Sequence, residues 1–387
     1  MIYLKVTNLA PLHLADGHTV GQMAQTLPYI PGRALRGALA RQWEAQYGVG
    51  EPFDRLFLSP HNWYGPLLPL SPAADHETFV LPQTAFTCKS FPGFRSRAAR
   101  DRHGVQDRLF TLLLDPKTDS DDQCATCQSA LQPVSQPLYA RRDSSYLTVE
   151  PDKRLITRTA LDSRREAAAR QQLFTQEVIG EGQQFAGFIE LANKDDEALL
   201  LEQGLGQGVR FWVGAAKTRG QGEVEVKQAA TDLPSELQPL RQPLSERLTS
   251  LNDRARQAGV AADYQTVFTL DLLSDAIIRD DYLRFARHVT PAYLGHYLHP
   301  DLAQAELLAS FCQTRLVDGW QRSQGLPRET AVVITAGSVF VFGSDLAADD
   351  LAERLAPLER WGIGGYQAEG LGQVTINHPF HLVEEAV

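Results

Sequence analysis

The chain has 387 residues, 43% of them hydrophobic, which is enough for two ordinary cores, and it contains no apolar run of the length that crosses a bilayer. Its formal net charge of -10 is uneven: residues 231–387 carry 12 Arg and no Lys against 21 acidic residues, while residues 1–230 are near balance. That distribution argues against indiscriminate polyanion binding and leaves room for a local basic surface in the first half.

Residues 1–8 alternate apolar and polar side chains and predict a strand. Their start, Met1-Ile2-Tyr3-Leu4-Lys5-Val6, has no basic region or cleavage site of a signal peptide, so a cytoplasmic protein is expected. Pro31-Gly32 opens a helix over Arg33–Tyr47, carried by Ala34, Leu35, Leu39 and Ala40. Residues 60–150, punctuated by Pro and Gly and rich in charge, read as an irregular insertion. From Phe185 the pattern predicts a strand to Leu191, a helix near Lys194–Gln203 and a strand to Val226. Pro234, Pro239 and Pro243 then lead into a polar helix, Leu244–Ala258, inside a connector. Val267–Leu273 begins a second run, which passes through an insertion to a strand, Ala331–Phe342, and a helix, Leu346–Leu358.

Each run closes on a glycine loop. Val213-Gly214-Ala215-Ala216-Lys217-Thr218-Arg219-Gly220-Gln221-Gly222-Glu223-Val224 matches Ile363-Gly364-Gly365-Tyr366-Gln367-Ala368-Glu369-Gly370-Leu371-Gly372-Gln373-Val374 at an offset of 150 residues. Glycine reaches positive φ and tolerates close backbone approach, so a loop repeated in register predicts two copies of one module, each able to meet a phosphate backbone. The expected fold is α+β: tandem ferredoxin-like (RRM-like) modules with glycine-rich loops and a cysteine-bearing insertion. The first module spans 1–228 with its insertion at about 60–150, the connector 229–262 and the second module 263–387.

Four groups of residues carry candidate chemistry. Arg33 and Arg36, one helical turn apart at a helix start, are placed to clamp adjacent phosphates. In the first glycine loop Gly214, Lys217, Arg219, Gly220 and Gly222 form a basic RNA-binding loop; at the positions of Lys217 and Arg219 the second has Gln367 and Glu369, leaving Gly364 and Gly370 to act through backbone or by a protein contact. Cys124-Ala125-Thr126-Cys127 has the spacing of two thiolate ligands to one tetrahedral Zn²⁺, with Cys88 and His103 as third and fourth ligands and His61 or His76 as alternatives to His103. Cys312, in an apolar context, is expected in the core. Arg95, Arg97, Arg100, Arg102, Arg108, Arg141 and Arg142, interleaved with Phe91, Phe94 and Tyr139, suggest a surface that stacks single-stranded bases, extended by Arg158, Arg164 and Arg165.

The stretch Tyr29-Ile30-Pro31-Gly32-Arg33-Ala34-Leu35-Arg36-Gly37-Ala38-Leu39 resembles the loop-to-helix motif of the repeat-associated (RAMP) proteins of CRISPR systems, and Gly214–Gly222 resembles their glycine loops. Arg158–Asp162, Leu173-Phe174 and Phe185-Ala186-Gly187 resemble the middle segment of that superfamily. Gly319-Trp320, Gly325-Leu326-Pro327-Arg328 and Ala336-Gly337-Ser338-Val339 resemble the second half of type III subunits that hold the 5′ handle of the guide RNA, those of subtype III-D in particular. The resemblance implies a non-catalytic subunit partnered by guide RNA, a polymerase-like large subunit and RAMP backbone subunits, with no membrane association. It also implies that Arg158 lies on a hairpin laid against the guide. Catalytic backbone subunits use an aspartate in the loop before Ile-Pro-Gly, but Thr19–Tyr29 contains no acid, and only Asp16 lies nearby. Guide-processing ribonucleases of the superfamily use a histidine, for which His13 or His18 is available. A RAMP endoribonuclease and a protein-docking scaffold are therefore the competing readings.

Overall fold

The computed structural model describes residues 1–20, 23–71, 78–95, 101–114, 123–135, 137–142, 145–162, 167–206, 208–229, 242–260, 263–321, 325–383 and 385–387. The first half runs β1 (Ile2–Asn8), α1 (Gly32–Tyr47), β2 (Trp63–Tyr64), β3 (Ala85–Cys88), β4 (Val105–Asp107), β5 (Leu131–Pro133), β6 (Lys153–Asp162), β7 (Ala167–Ile179), β8 (Gln184–Glu190), α2 (Lys194–Leu199), β9 (Val209–Trp212) and β10 (Glu223–Gln228). The second half runs α3 (Leu244–Gln257), β11 (Thr266–Leu272), β12 (Glu306–Phe311), β13 (Thr314–Val317), β14 (Ala331–Ile334), β15 (Val339–Ser344), α4 (Ala348–Trp361) and β16 (Val374–Ile376). It is a mixed α+β protein.

Strand β1 buries Ile2, Leu4, Val6 and Asn8 and turns Tyr3, Lys5 and Thr7 the other way, the two-residue alternation read from the sequence. Helix α1 buries Leu35, Ala38, Leu39 and Trp43, one helical stripe, against that sheet. Pro31 starts the helix: it is extended, and its carbonyl accepts from the N–H groups of both Ala34 and Leu35. The first sheet has the order β9-β10-β1-β8-β2, every pairing antiparallel. The second has the order β12-β15-β11-β16, again all antiparallel. In both, the first strand of the half lies between its last strand and the strand that precedes its closing helix.

Two sequence expectations are corrected here. Residues 60–150 are not irregular throughout: β3, β4 and β5 form a three-stranded sheet in the order β4-β3-β5. Strands of three or four residues are too short for their alternation to register. The strand expected over Ala331–Phe342 is broken, because the Ser338 N–H bonds to the Thr335 carbonyl and Gly337 takes φ 84°. Its halves join different sheets, β14 pairing with β13 and β15 with β11.

All seven residues of β11 are buried. Phe268, Leu270 and Leu272 pack with Leu351, Leu355 and Leu358 of α4 and Leu248 of α3. On the opposite face, Val267 with Val339 and Val341 of β15 packs against Leu251 and Ala255 of α3 and against Leu109 and Phe110, which belong to the insertion of the first half. The helix read as part of a connector is thus core material of the second sheet, and the insertion covers that sheet's other face. A buried histidine fastens the arrangement: His381 lies between Asp107 of β4 and Asp271 of β11. Among the described residues, no helix is long and apolar enough to cross a membrane.

Candidate nucleic-acid interface and metal centre

The two glycine loops share one backbone path. Ala216 (φ 57°, ψ 32°) and Tyr366 (φ 62°, ψ 30°) occupy the same left-handed position, each followed by a 3-10 turn ending at Gly220 (φ 74°, ψ 22°) or Gly370 (φ 84°, ψ 16°). Both loops rest on the chain just after the first strand of their half: Ala215 N–H donates to His13 O, and Gly365 N–H donates to Ile277 O. Glycine is required at Gly222 and Gly372, where positive φ coincides with a carbonyl, Val213 O or Ile363 O, at 2.2 or 1.8 Å from where a Cβ would stand.

Their surroundings differ. No heavy atom lies within 4 Å of the Cβ position of Gly220, and Thr218, Arg219 and Trp212 are exposed. Lys217 Nζ donates to Trp212 O at 2.6 Å, which curls its ammonium over the loop. The second loop is covered by protein on its Glu369–Gly370 side, while Gly365 and Tyr366 are exposed. A Cβ on Gly370 would stand 2.5 Å from Tyr64 O, and one on Gly32 would stand 2.6 Å from Glu369 O, so that loop is pressed onto β2 and the start of α1.

Arg33 and Arg36 part company at the same contact. Arg36 donates through Nε to Phe57 O at 2.7 Å and lies 3.8 Å from Glu369, bracing α1 against its own half and the second loop. Arg33 makes no hydrogen bond or ion pair among the described residues. Burial, and then the neighbouring Arg328 guanidinium, lower its pKa, a sign of a cation held partly out of water beside a like charge. Arg158 is half-buried on β6, in the hairpin with β7.

The four expected metal ligands meet. Ligand atoms of Cys88, His103, Cys124 and Cys127 all lie within 4.8 Å of one another, with Cys88 Sγ 3.5 Å from Cys127 Sγ and Cys124 Sγ 3.3 Å from His103 Nδ1. Cys88 ends β3, the Phe91 ring lies on the His103 imidazole at 4.5 Å, and the Cys124–Cys127 turn closes the fourth side. The Ser129 hydroxyl and N–H pull Cys127 down to about 6, while burial pushes Cys88 up. Three sulfurs and one imidazole nitrogen at these separations fit a tetrahedral Zn²⁺ and would be four-coordinate without water.

The expected base-stacking surface is corrected. Phe94 and Tyr139 are buried with Phe380 in one aromatic cluster, and Arg108 is buried with its guanidinium over Phe86. Aromatic spacing in sequence cannot distinguish a core cluster from an exposed platform. Cys312 is half-buried at the edge of the second core. His13 is buried, and its Nδ1 lies 2.8 Å from Glu177 O beneath the first glycine loop, away from solvent. His76, Arg97, Arg100, Arg164 and Arg165, and the side chains of Asp16, His18 and Arg142, lie outside the described residues. Sequence reasoning missed Arg315 and Tyr366, both beside Arg33. The bulky aromatic at the left-handed position of the second loop was the available signal.

A family model for the RAMP superfamily matches residues 5–225. No curated protein matches the chain. A chain of the type III-B Cmr-beta complex bound to cognate target RNA and AMPPnP is similar over 88% of this chain and 86% of its own, at 10% identity and a TM-score of 0.42. A chain of the Csm3-Csm4 subcomplex of the type III-A CRISPR-Cas interference complex is similar over 90% and 94%, at 12% identity and a TM-score of 0.35. Oligomeric Cmr4 from Pyrococcus furiosus is similar over 59% of this chain and 98% of its own, at 13% identity and a TM-score of 0.27.

Proposed function

The chain belongs to the RAMP superfamily, and from that membership we propose that it is a non-catalytic, cytoplasmic RNA-binding subunit of a type III CRISPR effector complex. In this reading it holds the repeat-derived 5′ handle of the guide RNA, caps the backbone of RAMP subunits and adjoins a polymerase-like large subunit. Two ferredoxin-like modules with a zinc-bearing insertion form its body, and the matching strand orders of the two sheets support that division. The observation that carries the reading is the open first glycine loop, which presents Arg219 and Gly220 to solvent beside the half-buried Lys217, while the Glu369–Gly370 side of its counterpart is covered. Gly214, Gly222 and Arg158 belong to the same proposed surface, as does Arg33; Gly364 and Gly370 act from the covered loop. Burial of His13 supports the non-catalytic reading over that of an endoribonuclease.

The test is retention of RNA by the purified chain. A repeat-derived 5′-handle RNA should remain bound at moderate salt and outcompete a scrambled strand of equal length. Equal binding of both removes the handle from the proposal, and binding of neither leaves the scaffold reading in its place.

A further inference from the structure

A cavity of about 310 Å3 lies between the start of α1, the second glycine loop and the β13–β14 hairpin, within the size range of small-ligand pockets. Leu27, Tyr29, Ile277, Val317, Val333 and Leu371 supply an apolar wall. Among its charged groups, Arg315 is closed on Asp275 at 2.6 Å, and Arg328 grips Glu369 with two bonds of 2.8 and 2.9 Å. Arg33 lines the same cavity with neither a hydrogen bond nor an ion pair among the described residues. Asp318, exposed at the rim, likewise has none. With Glu329 held by Arg279 at 2.6 Å, the charges left unpaired among the described residues are one guanidinium inside and one carboxylate at the mouth. Bare phosphate or a carboxylic acid answers only the first.

Tyr366 adds an aromatic face. It holds φ 62°, a conformation sterically unfavourable for a bulky residue, where the first loop has Ala216; its ring lies under the Arg328 guanidinium at 5.4 Å and is 47% exposed. Strain of this kind persists where the surrounding structure holds a side chain in a useful place. An aromatic plane backed by a cation is a surface on which a nucleobase stacks.

We propose that this cavity is a ribonucleotide site, with the phosphate on Arg33, a sugar hydroxyl or exocyclic amine on Asp318, and the base against Tyr366 and the apolar wall. The ligand is a free nucleoside monophosphate or one unstacked nucleotide of a bound strand, the chemistry being the same. Only the second source rests on the RNA-binding reading above.

The full chain is titrated calorimetrically with AMP, GMP, CMP and UMP, with inorganic phosphate as control, and then with a single-stranded RNA, intact or carrying abasic positions. At least one mononucleotide should bind about tenfold more tightly than phosphate, and Arg33→Gln should weaken it about tenfold, the size of one charge-assisted contact. Val317→Trp, which fills the cavity, should abolish binding while the parent melting temperature is kept. Arg33→Gln should also melt close to the parent, since Arg33 loses no hydrogen bond or ion pair among the described residues and is relieved of its burial and of the like charges of Arg328 and Arg315. Competition between mononucleotide and RNA, with weaker binding of abasic RNA, assigns the site to a strand; binding of both without competition assigns it to free nucleotide. If no mononucleotide binds better than phosphate and abasic RNA binds as well as intact RNA, the site is overturned while the RNA-binding reading stands. If nucleotides bind and RNA does not, the site stands and that reading falls.

Discussion

His381 Nε2 lies 2.8 Å from Asp271 Oδ1, with Nδ1 2.9 Å from Asp107 Oδ2, so one buried ring bridges two carboxylates drawn from the two halves of the chain. Both contacts are hydrogen bonds at once only when both nitrogens carry protons, which makes the ring an imidazolium. Thr84 Oγ1 donates to Asp107, and Thr269 Oγ1 donates to Asp271 at 2.6 Å, satisfying the remaining carboxylate oxygens. Such a cluster stabilises only while all its members keep their charges.

Burial alone would lower the His381 pKa, but the charges of Asp271 and Asp107 outweigh it and hold it at about 10. A histidine whose folded pKa is raised stabilises fully below its unfolded value, about 6.5, and loses that contribution as pH climbs through the folded value. His378, lowered to about 4 by burial, acts in the other direction and loses its contribution as pH falls below about 6.5. The urea midpoint should therefore peak near neutral pH and decline towards pH 10. His381→Gln should cost about 3–5 kcal/mol at neutral pH by leaving carboxylates buried without a counter-charge, and should flatten the alkaline decline. An unchanged alkaline decline in that variant rules the imidazolium out.

Protein prepared without chelators should contain one zinc per chain by elemental analysis. Cys124→Ser should lose the metal and render residues 85–133 sensitive to protease, because coordination closes the turn onto β3. Metal-free wild-type protein would end the zinc assignment.

Lys217→Ala with Arg219→Ala should weaken single-stranded RNA binding and reduce the slope of log K against log salt by about 1.4, the expectation for two phosphate contacts. The same double change should lower the melting temperature only slightly, since Arg219 is exposed and Lys217 gives up a solvent-exposed bond to Trp212 O. A salt slope equal to that of the parent removes these residues from the interface.

Glycine substitutions should separate the loops by cost. Gly220→Ala meets no neighbouring atom and bears only the positive-φ penalty, about 1 kcal/mol. Gly370→Ala, at the matching position, meets the same penalty plus Tyr64 O at 2.5 Å from its Cβ, so it should cost at least about 3 kcal/mol by denaturant melts. Equal costs would show that the second loop shifts freely.

In an assembled complex, His13→Ala and Asp16→Ala should leave guide-dependent target cleavage intact once assembly has been verified. His13→Ala alone should lower stability, since its ring is buried against Glu177 O. Loss of one defined cleavage product in a normally assembled Asp16→Ala complex would assign nuclease chemistry to this chain.

Much of this architecture was legible in local pattern. The alternation of Ile2–Asn8, the Pro31-Gly32 helix start and the spacing of the repeated glycines each encode backbone geometry within a dozen residues. The Cys124–Cys127 spacing likewise marked a candidate ligand pair, and Cys88 and His103 lie beside it. What stayed hidden depends on partners distant in sequence. Nothing local tells that Phe94 packs on Phe380, that Arg36 serves Phe57 while Arg33 has no hydrogen bond or ion pair among the described residues, or that Gly370 meets the backbone of Tyr64. Those outcomes follow from which faces the two halves bury against each other.

The insertion carries a timing consequence. Leu109 and Phe110 complete a core whose other members lie on α3, β11 and β15, and Asp107 waits for His381, 274 residues further on. At about 5–20 residues per second, a ribosome needs roughly 15–55 seconds to supply that partner. Until α3, β11 and β15 have been made, the nascent insertion presents Leu109 and Phe110 without the elements that cover them, which makes it a natural client for a chaperone.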